Sequence, residues 1–343
     1  MNKILIKVLA IFLTLTMLIS FAACNGSDTE NGDGNNAGDA QNGDNSESGF
    51  HTITFNTKGG STIRPIKVKH GGFATPPEDP VMDNYVFHRW ETDEGRAFFL
   101  DQYKVEEDLT LEAIWIKAED LFELAPMPDS DGIMITKVKR KMELDKIVIP
   151  KIINGKTVEG LGDNAFAGTT KDLASVIVFP DTIRYVGKEA LSTSIETTIV
   201  FNGVVDHIDV ASFASAVTLT NINLGKGITV IPSEAFYFCV SLRTVNIPEG
   251  VTLIEENAFE GASNILTIVL PSTLETIENS AFIGCESLKT IFFGGTTEQF
   301  DDIDIEFGND ILENAKVYYY SEQEPTSAGN FWHYDKNNTP TIW

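Results

Sequence analysis

The chain has 343 residues, with 50 acidic side chains against 25 basic ones and a formal net charge of −25. Such a balance disfavours nucleic acid, whose phosphates call for a basic face, and suits a soluble, self-repelling surface. An apolar share of 42% leaves enough for a sizeable core, the length allows two or three domains, and three cysteines are too few for a disulfide scaffold.

Lys3 and Lys7 make a positive start, an apolar run follows from Val8, and the run ends in SFAAC. It is too short and wrongly flanked for a membrane span and has the build of an export signal. Small Ala22 and Ala23 ahead of Cys24 resemble the lipobox of bacterial lipoproteins, with Phe21 where that family usually has Leu. The resemblance implies a signal peptide over 1–23 and a lipidated Cys24 anchored to the outer face of a bacterial membrane. The alternative is an ordinary signal peptide with an incidental cysteine. Residues 24–50 are nearly all Asn, Gly, Asp, Ser, Glu and Ala before Phe50. They cannot bury enough apolar surface to offset their ordering entropy and are expected to form a disordered acidic linker.

Next come HTITFNTKGGSTI, RPIKVKHGG, the loop TPPEDP, the aromatic NYVFHRWETDEG and the alternating LTLEAIWI. These read as four strands, with a short helix or turn near Leu100 to Val105 packed across them. The stretch 51–117 resembles the Listeria–Bacteroides repeat, also called the internalin B-repeat. That resemblance implies a small β-grasp-like domain that spaces or binds and does not catalyse. Trp90 and Trp115 are expected in its core rather than as a ligand platform.

A repeat dominates the rest. Phe282, Phe259, Phe236, Phe213, Leu191 and Phe166 follow one another at steps of 23, 23, 23, 22 and 25, each after a small residue. A second column is Ile277, Ile254, Ile231, Ile208, Val186 and Leu161; a third is Phe293, Leu270, Ile247, Leu224, Phe201, Phe179 and Ile149. Columns repeating in step mark a solenoid, since one coil has an apolar face that only its neighbours bury. The expected architecture is β-rich, with about six to seven repeats of 22–25 residues after the small domain. TVNIPEGVTLIEENAFEGA and TIVLPSTLETIENSAFIGCESL resemble BspA-type leucine-rich repeats, which implies adhesion to proteins of a host or neighbouring cell. The repeats with an N-terminal cap are assigned to 118–320 and a closing hairpin to 321–343; Tyr318–Tyr320 at the end of the repeats, with Trp332 and Trp343 of the hairpin, are expected to cap the stack rather than hold sugar.

Cys239 and Cys285 share one repeat position, separated by the slot of Ala262. Two rungs put their Cα atoms roughly 9–10 Å apart, beyond the ~7 Å limit of a disulfide, so both are expected as buried free thiols. With the third column inward, the residues before it face out: Val178, Val200, Asn223, Asn246, Val269 and Phe292, continuing from Val148. This ladder is the candidate partner-binding face, because an uncharged exposed sheet in so acidic a chain suggests contact; the alternative is that Val and Thr simply suit strands.

No catalytic constellation stands out. Histidines 51, 70, 88, 207 and 333 are scattered, none at metal spacing from another; there is no nucleophile elbow and no phosphate loop, and DDIDIEFGND at 301–310 lacks the closing Glu of a calcium loop. No cofactor and no metal ligand are expected. The reading is a non-catalytic, monomeric surface protein recognising an extracellular protein or glycan, a host matrix protein among the candidates; the alternative is a spacer or scaffold of the cell envelope.

Overall fold

The computed structural model describes residues 49–343 apart from 140–143, 169–173, 194–197, 202, 327 and 338. The export signal, Cys24 and the linker as far as residue 48 lie outside the described residues.

Alternation turns Ile53 and Phe55 of strand β1 (Phe50–Asn56) inward, and the strand takes in Phe50, the last residue assigned to the linker. It pairs antiparallel with β2 (Ile66–Lys69) and parallel with β4 (Leu109–Lys117), and β4 pairs antiparallel with β3 (Tyr85–Glu91). The order β2-β1-β4-β3 encloses a core of Ile53, Phe55, Val68, Phe87, Trp90 and Leu111. Trp115 packs against that core and donates its indole N–H to Thr57 O at 3.0 Å, so both tryptophans serve packing. The stretch from Leu100 to Val105 is turn rather than helix, and both of those end residues are buried.

A single helical turn, α1 (Ala118–Leu121), leads into the antiparallel hairpin of β5 (Phe122–Pro126) and β6 (Ile133–Val138). The solenoid of about seven turns follows, with two short strands in each regular coil. One file holds β7 (Leu144–Val148), β10 (Ala174–Phe179) and β12 (Thr198–Phe201), then β15 (Thr244–Asn246), β17 (Thr267–Leu270), β19 (Thr290–Phe293) and β21 (Lys316–Tyr320). The other holds β9 (Lys156–Leu161), flanked by β8 (Ile152–Ile153), then β11 (Tyr185–Val186), β13 (His207–Ile208), β14 (Val230–Ile231), β16 (Leu253–Ile254), β18 (Thr276–Ile277) and β20 (Asp304–Ile305). A short helix, α2 (Thr297–Asp301), lies between β19 and β20, and the hairpin of β22 (Phe331–Tyr334) and β23 (Pro340–Ile342) closes the chain.

Where steps are regular, one repeat in sequence is one rung in space. Thr244, Thr267 and Thr290 lie side by side, as do Ile231, Ile254 and Ile277. Phe213, Phe236, Phe259 and Phe282 form one dry file of nearly parallel rings, with centroids 5.4, 5.1 and 5.1 Å apart and all fully buried. Each amide in that file donates to the coil after it: Phe213 to Ala235 O, Phe236 to Ala258 O and Phe259 to Ala281 O. At the last coil Ser280 N still donates to Phe307 O at 2.8 Å, but the side chain of Asn309 stands in for the carbonyl that the Phe282 amide would meet. Its Oδ1 accepts from Phe282 N at 3.0 Å while its Nδ2 donates to Glu278 O and Glu306 O, both at 2.9 Å. DDIDIEFGND supplies the last rung of this file: Asp304 pairs with Thr276, Ile305 with Ile277, and Ile303 and Asn309 are buried.

The small residue before each phenylalanine is packed inside, and the tight turn is made elsewhere. Asn164, Glu189, Ala211, Glu234, Asn257 and Ser280, two residues before each, all hold φ between 53° and 59°. That left-handed conformation costs a non-glycine residue roughly 1–2 kcal/mol, borne here by the inter-coil bonds that follow.

Both strand files break in the same coil. Leu224 pairs with Val205, not with Phe201, so the chain has slipped between β12 and β15. Gly203 and Gly225 permit that path, since a Cβ on them would strike Asp181 O and the Asp206 carboxylate. In the other file the residue after each short strand donates to the coil before, as Asp209 N does to Val186 O and Glu255 N to Ile231 O. Pro232 occupies that slot after β14 and has no N–H, and β13 and β14 belong to separate sheets. A cleft of about 320 Å³ opens there, lined by Asp206, His207, Asp209, Pro232 and Glu255 among others.

The small domain is docked on the first coils. Val86 of β3 is buried within the solenoid's core cluster. Asn84, at φ 70°, donates its N–H to Ile152 O at 2.8 Å, accepts Ala118 N at 2.8 Å and accepts Asn154 N on Oδ1 at 2.6 Å. Lys146 of β7 pairs with Asp79 at 2.6 Å.

Candidate functional site: the outward face of the solenoid

Strand alternation sends Ile177, Ile199, Val245, Ile268 and Ile291 inward, all buried, and turns their neighbours out. The proposed face does not form one continuous ladder. Val148, Val178 and Val200 lie in register across β7, β10 and β12 and are half-exposed, flanked by half-exposed Val176 and Thr198. Asn223 does not continue them: the slip sets it beside Val205, whose N–H it accepts at 3.0 Å. Asn223 and Asn246 are exposed and polar.

The C-terminal part of the face is covered, which corrects the expectation for two residues. Val269 and Phe292 are only 3% and 7% exposed, because Trp332 lies over them and is itself 1% exposed. The ring centroids of Phe292 and Trp332 are 5.2 Å apart, and Trp332 donates its indole N–H to Phe293 O at 2.8 Å. Tyr334 stacks edge-on against Trp332 at 4.9 Å and reaches the Asn246 side chain with its hydroxyl. Burial raises the Tyr334 phenol above its usual pKa, opposed by that Asn246 hydrogen bond. The closing hairpin thus folds back across the outward face of β17 and β19, a placement that the column pattern did not contain. The signal that could have found it is the alternation of Trp332 and Tyr334, which puts two large rings on one side of a strand.

Cys239 and Cys285 are free and buried, and their thiols donate to Phe213 O at 3.1 Å and Phe259 O at 3.2 Å. Burial pushes the Cys285 thiol up to about 12 and the Cys239 thiol higher still, so neither is poised as a nucleophile. Trp343 stacks on His333 with centroids 3.8 Å apart, and Tyr320 packs on Trp332 at 5.2 Å, so these terminal aromatics are engaged with one another. Among the described residues no group of three or more His, Cys, Asp or Glu side chains is arranged to hold a metal ion, and no helix is long and apolar enough to cross a membrane. His207 stacks on Tyr185 with centroids 4.7 Å apart. His51 and His70, 19 residues apart, meet across β1 and β2 with ring nitrogens 2.8 Å apart, a pairing that their sequence spacing hid.

Two short strands per coil, a dry phenylalanine file and an extended outward sheet define a leucine-rich-repeat solenoid. Comparison with known families makes this specific. Residues 139–265 and 192–304 match the BspA type leucine rich repeat region, in six copies, and residues 51–114 match the Listeria-Bacteroides repeat domain. The chain thus carries BspA-type leucine-rich repeats behind a Listeria–Bacteroides repeat domain. No curated protein matches it. Among solved structures, a leucine rich repeat protein of T. pallidum is 22% identical over 59% of this chain and 97% of that one, with a TM-score of 0.44. A leucine-rich repeat protein from Bacteroides ovatus is 23% identical over 59% of this chain, TM-score 0.43. A leucine rich cell surface protein from Faecalibacterium prausnitzii is 22% identical over 65%, TM-score 0.40. This chain spans 54% and 59% of the length of the latter two.

Proposed function

We propose that this protein is exported, held to the outer face of a bacterial membrane through lipid on Cys24, and binds an extracellular protein through the open part of its outward face. The observation that carries the reading is a contrast along one face. The Val148, Val178 and Val200 ladder stands uncovered among the described residues, while farther along the chain covers the same face with its own hairpin. A half-exposed aliphatic ladder without charge is unusual in a chain of net charge −25 and fits a contact surface. The match to BspA-type leucine-rich repeats supports this class. The hairpin supports a partner chemistry: an extended segment with aromatic residues at alternate positions, as in Trp332 and Tyr334, can lie on the outward side chains.

The test is an array of extracellular-matrix proteins and glycans probed with the purified protein, alongside the double variant Val178→Lys, Val200→Lys. Binding that disappears in the variant at unchanged melting temperature supports the reading; undiminished binding removes this face. Val269 is not a site for that test, because a lysine there would disrupt buried packing. A spacer or scaffold is the second reading. The docking of the small domain through Asn84 favours it, since a fixed joint suits a rigid stalk. It predicts an array without specific binders.

A further inference from the structure

The solenoid ends differently on its two strand files. At the C-terminal end β22 pairs with β21 and carries the outward sheet on into the closing hairpin. In the other file β20 pairs with β18 alone, and no strand lies along its far edge among the described residues. Side chains record the difference. Ile231, Ile254 and Ile277 are 0% exposed in the inward column, each with a further rung beyond it, whereas Ile305, the last of them, is 38% exposed. Two residues on, the slot of Ser233, Glu256 and Asn279 is taken by Phe307, which at 84% is the most exposed large apolar side chain among the described residues. Backbone groups are left over as well. In earlier coils Ile231 O and Ile254 O accept from Glu255 N and Glu278 N, and Glu234 N and Asn257 N donate to Glu256 O and Asn279 O. The equivalent groups of the last rung, Ile305 O and Gly308 N, have no such partner among the described residues.

We propose that this free edge of β20 is a docking site for an extended, basic segment of a partner protein, which adds as the next strand of the file. A strand edge with unpaired N–H and C=O groups is a template for another extended chain, and the end of a repeat stack needs a cover. Charge names the occupant. Asp304, Ile305, Glu306 and Phe307 alternate acidic and apolar, so a segment alternating basic and apolar residues complements them position by position. Asp304 is exposed and enters no ion pair among the described residues. The same charges oppose pairing with the identical edge of a second copy, because like charges set opposite one another are destabilising. The site is on the other strand file from Val178 and Val200 and does not depend on binding there.

The experiment follows the fluorescence anisotropy of a labelled, N-acetylated hexapeptide of alternating lysine and valine as the purified full chain is added. The expected result is saturable one-site binding that weakens severalfold as salt is raised. Phe307→Ser should weaken it severalfold, and Asp304→Lys should remove most of the peptide's advantage over a glutamate–valine hexapeptide. The same lysine–valine peptide N-methylated at alternate residues keeps its charge but loses the donors of a strand, and should not bind. Val178→Lys, Val200→Lys should leave the affinity unchanged. Phe307 and Asp304 are exposed, so their variants are expected to melt with the wild type, which separates a lost site from a lost fold. Absence of saturable binding, equal binding of the N-methylated peptide, or undiminished affinity in Phe307→Ser would each overturn the proposal. So would a dimer of the wild type that Phe307→Ser dissolves, since the edge would then belong to a second copy of this chain.

Discussion

The two halves of the solenoid are written in nearly the same repeat yet hold together differently. From Phe213 to Phe293 the steps are 23 residues, the rings stack within 10° of parallel and each strand meets the next in register. From Phe166 to Phe201 the steps vary and Leu191 interrupts the file. Rings there meet edge-on, as Phe166 does with Phe179 at 86°, or stack less nearly parallel, as Phe179 does with Phe201 at 21°. The difference teaches that a constant repeat length matters as much as the residue in the column. A step of one residue more or fewer displaces every bond of the next rung, and the coil from 203 to 232 absorbs the mismatch as a slip.

The largest way to sharpen this comparison is to truncate one ring in each half. Phe259→Ala should cost about 3–5 kcal/mol in urea unfolding, and Phe201→Ala, only half-buried at the break, clearly less; equal losses would deny that the regular file is the better packed. Alkaline titration probes the same half through its thiols. Burial favours the protonated form, so their contribution is intact below the ordinary thiol value of 9.0 and is lost as pH rises toward about 12. Unfolding melts between pH 8 and 11 check this, and Cys239→Ala, Cys285→Ala should flatten the decline. Asn309→Ala leaves the buried Phe282 N–H without its acceptor and removes a donor from the half-buried Glu278 and Glu306 carbonyls, and should cost on the order of 1–3 kcal/mol, with fraying of the last coil seen by hydrogen exchange.

Smaller effects belong to the break. Ser212 fills a slot that is alanine at 165, 190, 235, 258 and 281, and its fully buried hydroxyl has no hydrogen-bond partner among the described residues. Ser212→Ala should therefore stabilise the protein by about 1 kcal/mol, and a lower melting temperature would refute that account. Pro232→Val restores the donor missing opposite Ile208 and should add roughly 0.5–1 kcal/mol if the break is a matter of one absent hydrogen bond. No gain would place its cause in the slip at Gly203 and Gly225 instead.

Particular residues show how far the sequence could be read. The inward columns were legible because each side chain needs the same neighbour one repeat away, so Phe236, Phe259 and Phe282 had to stack once the period was seen. The open ladder at Val178 and Val200 was legible from alternation alone. The burial of Val269 and Phe292 was not, because what covers them arrives from residues about 40–60 positions later through a fold-back that no local period encodes. The left-handed residues carry no sequence signal: Asn, Glu, Ala and Ser share that position, and the strain is imposed by the coil rather than chosen by the residue type.

By itself the sequence determined that this chain stacks coils, which residues line the interior and which cysteines stay apart, since periodic burial is a local instruction repeated. Only the tertiary structure decided where the outward face stays open, that Asn309 completes the last rung, and that His51 meets His70. Each of those depends on which distant segments come to rest against one another, and that is settled by the packing of the whole.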